Sequence, residues 1–446
     1  MSQAIPIFLV NAEDIRAYHG ENQKWLDVSG FKGQAGTFCV VPDAQGSIAK
    51  ILVGKPETLD TWTLGSLAQS LPAQTYYLAD SFSAETATQL CLGWRLGQYQ
   101  FTKYKQNAQQ AAAELQLPEN ADQDYVRAAA EATFLVRDLV NTPVNDMRPA
   151  QLEDCAHILA ETYEAKLMVI KGEDLLKQNY PLIHAVGRAN DQVPRLIDLR
   201  WGEASSPKIT LVGKGVCFDT GGLNIKSAAS MKMMKKDMGG AAEIFGLAKL
   251  IMQMKVPVQL RVLVPAVENS ISDNAMRPLD VMPSRRGITV EVGNTDAEGR
   301  LILADALWEA CSESPDLVID CATLTGAARV ALGTELPAFF CNQADVASLL
   351  LKIGQQTDDP FWQLPLHQPY RALLESKVAD ISNISNGSYG GAITAALFLQ
   401  EFVTPTTPWI HVDLMAWNLR SLPGRPEGGE AMGMRSLFEL IRQWVK

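Results

Sequence analysis

Ile288-Thr289-Val290-Glu291-Val292-Gly293-Asn294-Thr295-Asp296-Ala297-Glu298-Gly299-Arg300 carries the chain from one periodicity to another. Its first five residues are largely β-branched and alternate, which predicts a strand. After Arg300, Leu301, Ala304, Leu307, Trp308 and Cys311 recur at helical spacing. Between the two, Asp296, Glu298 and Arg300 fall at alternate positions. Residues two apart diverge around a helix, but on an extended or turning backbone i, i+2 and i+4 project to one side. The stretch reads as a strand-to-helix elbow that aims two carboxylates and a guanidinium at one point.

Outward from it, strands and helices alternate from about residue 165. Strands are expected at 166–170, 195–201, 209–213, 260–264, 288–292, 317–320 and 410–414, most of them separated by helical patterns. That order predicts an α/β fold whose larger domain has a mixed, mostly parallel central sheet flanked by helices. Residues 1 to about 105 form a smaller α/β unit, with strands at 37–41, 48–53 and 74–78 and a helix over 84–99. Residues 106–123 shift towards Ala, Gln and Asn and read as a connector, helical in its Ala-rich part. The expected division is therefore an N-terminal domain with its linker over 1–123 and a second domain over 124–446. The latter opens on a helix over 125–140, ended by Asn141-Thr142-Pro143.

With 446 residues and 47% hydrophobic content, the chain can bury a large core. Its 39 basic and 50 acidic residues leave a formal charge of −11, which argues against a nucleic-acid-coating surface. No run approaches the roughly 20 apolar residues that span a bilayer. The first ten residues lack the basic start of a secretory signal, so a cytoplasmic protein is expected. Seven scattered cysteines fit reduced core residues better than a disulfide framework.

A second polar cluster lies on the loop after the 209–213 strand, where Lys214, Asp219 and Lys226 are set among glycines and apolar residues. The loop lacks the phosphate-loop order, and Phe218 stands where a dinucleotide fingerprint needs its third glycine. Asp237 follows, just before a helical run. Each residue alone has an ordinary explanation. Asp237 and Asp296 sit where helix caps sit, and Lys232, Lys235 and Lys236 read as a solvated face. Two strand ends that each deliver several ionisable groups change the balance, because α/β sheets bind ligands beyond the carboxyl ends of their strands.

The five histidines are dispersed, which disfavours an imidazole-built zinc site. Four carboxylates gathered together repel and need cations between them. Oxygen-rich sites suit Mg²⁺ and Mn²⁺ and are tolerated by Zn²⁺. A pair of metals bridged by carboxylates also activates water near neutral pH.

Asn294-Thr295-Asp296-Ala297-Glu298-Gly299-Arg300 resembles the signature of the leucyl (cytosol) aminopeptidase family of dinuclear metallopeptidases. The likeness extends through Arg137–Pro143, which resembles the entry to the family's catalytic domain, and Val212–Gly215, Phe218–Gly222, Lys226, Met234, Asp237-Met238, Gly240–Ala242, Ala322–Ala327 and Gly390–Ala395, so that motifs cover roughly 137 to 413. It implies one metal on Asp219, Asp296 and Glu298 and another on Lys214, Asp219, Asp237 and Glu298, the ions being Mn²⁺ or Zn²⁺. It implies Lys226 as the electrophile facing the developing oxyanion and Arg300 as the holder of a bicarbonate that acts as general base. Met234, Thr323 and Gly326 then line the pocket for the N-terminal side chain, while Asn294, Ala297 and the Leu324 backbone flank the next residue. Peptide substrates and a homohexamer are implied as well.

One segment departs from the family pattern. Where the family has His-x-Asp-Ile-Ala-Gly, this chain has His411-Val412-Asp413-Leu414-Met415-Ala416-Trp417-Asn418, and Met415 with Asn418 would alter the pocket wall. His411 and Asp413 read as structural. The competing readings are another two-metal hydrolase, such as a phosphoesterase, and an added DNA-binding role, against which the acidic balance speaks.

Overall fold

A computed structural model describes residues 4–106 and 112–445. Compact packing divides the chain into two units, 1–134 with 420–427 and 135–419 with 428–446. The division falls inside the helix Gln123–Asn141 rather than at the composition change at 123. The reason is packing. The first half of that helix belongs to the N-terminal unit, where Phe134 meets the Tyr99 ring at 5.2 Å between centroids.

The N-terminal unit is built on a five-stranded sheet in the order Phe38–Pro42, Ile48–Gly54, Ile5–Val10, Thr75–Leu78, Glu114–Gln116. All pairings are parallel except that of Phe38–Pro42 with Ile48–Gly54. Glu114–Gln116 corrects the connector reading of 106–123, since it is an edge strand paired with Thr75–Leu78. The helical character expected of the Ala-rich stretch concerns residues 107–111, which lie outside those described.

The larger unit holds a nine-stranded mixed sheet. Its centre is four mutually parallel strands in the order Trp409–Asp413, Leu317–Ala322, Lys208–Gly213 and Gln259–Asn269. Antiparallel neighbours extend it, Ala338–Cys341 beside Trp409–Asp413 and Arg195–Trp201 beside Gln259–Asn269. The short strand Gly215–Asp219 pairs with the far end of Gln259–Asn269. Every residue of Leu317–Ala322 and Trp409–Asp413 is buried, the mark of strands covered on both faces. The helices Gly239–Gln253 and Gly299–Cys311 pack on this centre and are themselves buried almost all round.

One expected strand sits elsewhere. Of 288–292 only Thr289–Glu291 is extended, and it pairs with Val281–Pro283 and Ile381–Ser382 in a separate three-stranded sheet. With glycines at 287 and 293 the segment is too short to run through the central sheet, so alternation alone mistook a satellite strand for a core one. All seven cysteines are unbonded, six of them buried. Among the described residues no helix is long and apolar enough to cross a membrane.

Candidate active site

The parallel centre of the sheet delivers its loops to one place. Lys214 follows the end of Lys208–Gly213, Thr323 follows Leu317–Ala322, and Asp219 closes Gly215–Asp219. One carboxylate oxygen from each of Asp219, Asp296 and Glu298 lies within 4.8 Å of the others. Lys214 Nζ stands 2.8 Å from Asp237 and 3.0 Å from Glu298, which ties the fourth carboxylate to the same centre. Lys226 Nζ stands 2.8 Å from Asp219 and 2.6 Å from Asp296. Glu298, Asp219, Asp237 and Lys214 are each 3% exposed or less.

Local chemistry shapes the elbow. Asn294 Oδ1 accepts from the Asp296 N–H at 2.8 Å, the Asx turn that such a residue favours. Thr295 donates through its hydroxyl to Gly221 O at 2.6 Å and exchanges hydrogen bonds with Asn224, clamping the signature onto the glycine-rich loop. Gly221 has φ +88°, and a Cβ there would meet Asn224 O at 2.5 Å. Gly299 makes room for an adjacent side chain, since a Cβ on it would fall 2.4 Å from Lys214 Cε.

Arg300 departs from the expected convergence. It is the second residue of Gly299–Cys311, because Glu298 already has helical angles, and its Nη1 donates to Asn383 O at 2.7 Å. The i, i+2, i+4 argument holds for Asp296 and Glu298 and fails one residue into the helix. Arg300 Nε is buried without a hydrogen-bond partner. Burial pulls its pKa down to about 10 against the opposing pull of Glu298 and Asp413.

Nor is Asp237 a helix cap. The helix after it starts without a side-chain cap bond, and Asp237 Oδ1 instead accepts from the Thr323 hydroxyl at 2.8 Å. The solvated lysine face holds only for Lys232. Lys235 donates to Asn141 O at 2.6 Å over the Trp417 ring, and Lys236 is 2% exposed. Burial lowers the Lys236 pKa to about 7.

Of the remaining expected residues, Met234 opens the short helix Met234–Met238 just before Asp237, and Gly326 opens the helix Gly326–Leu332. Ala297 donates its N–H to Asn294 O at 3.2 Å, inside the elbow. Leu324 spends its N–H on Asp413 at 3.1 Å. Asp413 also receives both groups of Thr325, and His411 pairs with Asp320 at 2.6 Å in the fully buried core. Asn418 turns its amide to Glu430 at 2.7 Å, so its polarity is absorbed there. Two positioning residues were missed. Asn269 donates to both Asp219 (2.8 Å) and Thr295 O (3.0 Å), and Asn383 brackets Gly293, Asn294 and Ala297. Each is a lone asparagine far from the motifs it supports, and only the fold reveals its part.

The electrostatics are unbalanced. Four carboxylates face two lysines. Glu298 is pushed up to about 8 by burial and then by the charge of Asp219, and Asp219 to about 6 by burial and then by Asp237. Asp237 is held low despite burial by Lys214 and Lys236. Burial works against the Lys214 ammonium, yet Asp237, Glu298 and Asp219 together raise its pKa. Lys226 and Lys214 come close to Asp296 Oδ1 and Glu298 Oε1, but not with hydrogen-bond geometry. Those oxygens and Glu298 Oε2 remain buried without a donor. Two charges 4.8 Å apart repel by about 3 kcal/mol at an effective dielectric of about 20. Oxygen donors in excess, orphaned and buried, fit a divalent cation.

An α/β sheet whose strand ends gather buried carboxylates around a lysine defines a metal-dependent hydrolase site. The chain belongs to the cytosol aminopeptidase family. The family's catalytic-domain model matches residues 134–438, and the M17 aminopeptidase N-terminal domain matches residues 5–118. A probable cytosol aminopeptidase of Sulfurihydrogenibium sp. is 34% identical over 92% of this chain and 88% of its own. One from Aquifex aeolicus is 35% identical over 93% and 89%. The crystal structure of the Coxiella burnetii cytosol aminopeptidase superposes with a TM-score of 0.96 at 46% identity, covering 100% of this chain and 98% of that one. The bottromycin maturation enzyme BotP in complex with Mn gives 0.90 at 33%, covering all of both chains. The protein is thus a hydrolase of the metallo-exopeptidase kind.

Proposed function

We propose that the chain releases the N-terminal residue of peptides with two divalent ions, Mn²⁺ or Zn²⁺. Asp219, Asp296 and Glu298 would hold one, and Lys214, Asp219, Asp237 and Glu298 the other. When bound, such ions anchor the substrate's free α-amine, polarise its first carbonyl and activate water. Lys214 joins the ligands as a neutral amine, its proton displaced by the adjacent positive charge. Lys226 keeps its proton and donates to the oxyanion that develops on the scissile carbonyl. Arg300 offers its unpartnered Nε to a bicarbonate, the general base of this reading. Met234, Thr323 and Gly326 receive the N-terminal side chain. Asn294, Ala297 and the Leu324 carbonyl border the residue that follows. A homohexamer is the proposed assembly, for which light scattering gives the mass.

The observation that carries this reading is the Glu298 carboxylate, 1% exposed, with neither oxygen in a hydrogen bond among the described residues. Glu298→Ala tests it through bound metal and turnover of an aminoacyl anilide. Loss of the metal together with at least a hundredfold loss of kcat/KM is expected, since even groups outside the ligand set cost about 10–100-fold. Full turnover with no bound metal would overturn it.

A further inference from the structure

The roles above leave Arg329 without a task. It lies on the helix Gly326–Leu332, three residues after Gly326. Long helical side chains lean towards the helix N-terminus, and this one does. Its Nη2 comes within 3.7 Å of the point where a Cβ on Gly326 would stand. Its Nη1 is buried and has no hydrogen-bond partner among the described residues. Gly326 itself is three residues beyond Thr323, whose carbonyl accepts from Lys214 Nζ at 3.2 Å and whose hydroxyl donates to Asp237. The guanidinium therefore lies against Gly326, which the reading above gives to the pocket for the N-terminal side chain.

Asp413, the acid bonded to this segment, is not free to take the guanidinium, since its oxygens are already engaged by the Leu324 and Thr325 N–H groups and the Thr325 hydroxyl. A buried guanidinium N–H facing no acceptor is costly. Guanidinium pairs best with a carboxylate, which matches its planar fork.

We infer that Arg329 selects an acidic side chain on the first residue of the peptide, so that N-terminal glutamate or aspartate is the favoured substrate class. This rests on the peptidase reading above and extends it, since that reading leaves the first side chain unspecified. The acceptor is the side-chain carboxylate. The free carboxylate at the far end of a short peptide is the other source of the same chemistry, and anilide substrates, which lack it, separate the two.

The test uses the full chain loaded with Mn²⁺ and glutamyl, aspartyl and leucyl anilides. Wild type is expected to show higher kcat/KM on the acidic substrates than on leucyl. Arg329→Met is expected to lower the acidic-to-leucyl ratio about 10–100-fold, the worth of a hydrogen bond to a charged group. Arg329→Glu is expected to shift preference towards a lysyl anilide, a gain that a poorly folded variant cannot show. Leucyl turnover exceeding acidic turnover in wild type, with a ratio unmoved by Arg329→Met, overturns the inference and leaves the peptidase reading standing. Acidic preference seen only with dipeptides bearing a free C-terminus overturns it too. No turnover of any anilide overturns both readings.

Discussion

Two clusters of acidic and basic side chains in the larger unit reach opposite states. In the first, Arg261 Nη2 lies 2.7 Å from both Asp198 and Glu309, Arg285 pairs with Glu309, and Arg200 lies 2.6 Å from Glu313. Three arginines meet three carboxylates, and Glu309 and Glu313 are held below the usual carboxylate range, Glu309 against its burial and Glu313 chiefly by Arg200. In the second, four carboxylates meet two lysines, and Glu298 and Asp219 are driven upward, to about 8 and about 6. Asp198, Arg261 and Glu309 are buried as deeply as much of the second cluster, so burial alone does not separate the two. The count of positive charge does. A balanced cluster is finished by the chain itself, whereas the unbalanced one leaves a place for cations from outside.

Neutralising one acid in each cluster should therefore change stability in opposite directions. Asp198→Asn leaves Arg261 and Arg200 short of a partner, and breaking such a buried set is expected to cost about 3–5 kcal/mol, read as a lower denaturant midpoint. An unchanged midpoint would dissolve the contrast. Added Mn²⁺ is expected to stabilise wild type by about 3 kcal/mol at a hundredfold or more above its dissociation constant. Glu298→Gln should abolish that gain, yet in metal-free protein it should raise stability by about 1–3 kcal/mol, since the wild-type carboxyl must either take up a proton on folding or stay charged beside Asp219. Destabilisation by Glu298→Gln without metal would mean that its carboxylate is satisfied by the chain after all.

The two clusters were unequally legible in the sequence. The carboxylate centre announced itself because Asp296 and Glu298 share one elbow and Lys214, Asp219 and Lys226 share one loop, so that most of the site is local. The arginine network joins residues as distant as Asp198 and Glu309 with no motif to mark them, and only strand pairing brings Arg261 beside Asp198. The same distinction explains the departures. Periodicity does not record where a helix begins or which sheet a short strand joins, so it misses the helical start at Glu298 and misplaces the 288–292 strand. Lys236 looked like a surface lysine because composition carries no depth. The central sheet was readable because its strands are long, apolar runs separated by helices.

A third buried acid lies between the two cases and gives the smallest effect. Glu243, on the helix Gly239–Gln253, is fully buried, accepts one hydrogen bond from the Met432 N–H at 3.3 Å, and leaves Oε1 without a partner. Burial, and then the charge of Asp359, push its pKa well above 4.5, so the folded chain holds a proton that the unfolded chain releases. Its contribution is complete below about 4.5 and is lost as pH rises towards the folded pKa. Glu243→Gln keeps the shape and has no proton to lose. Its melting temperature should draw ahead of wild type as pH climbs from 5 to 8, by about 2–4 °C for each 1 kcal/mol that the wild type loses. A lead that shrinks with rising pH would mean that Glu243 is ionised in the fold. It would then have to be neutralised by Arg435, whose charge acts on it, which would make it a small counterpart of the arginine cluster rather than of the metal centre.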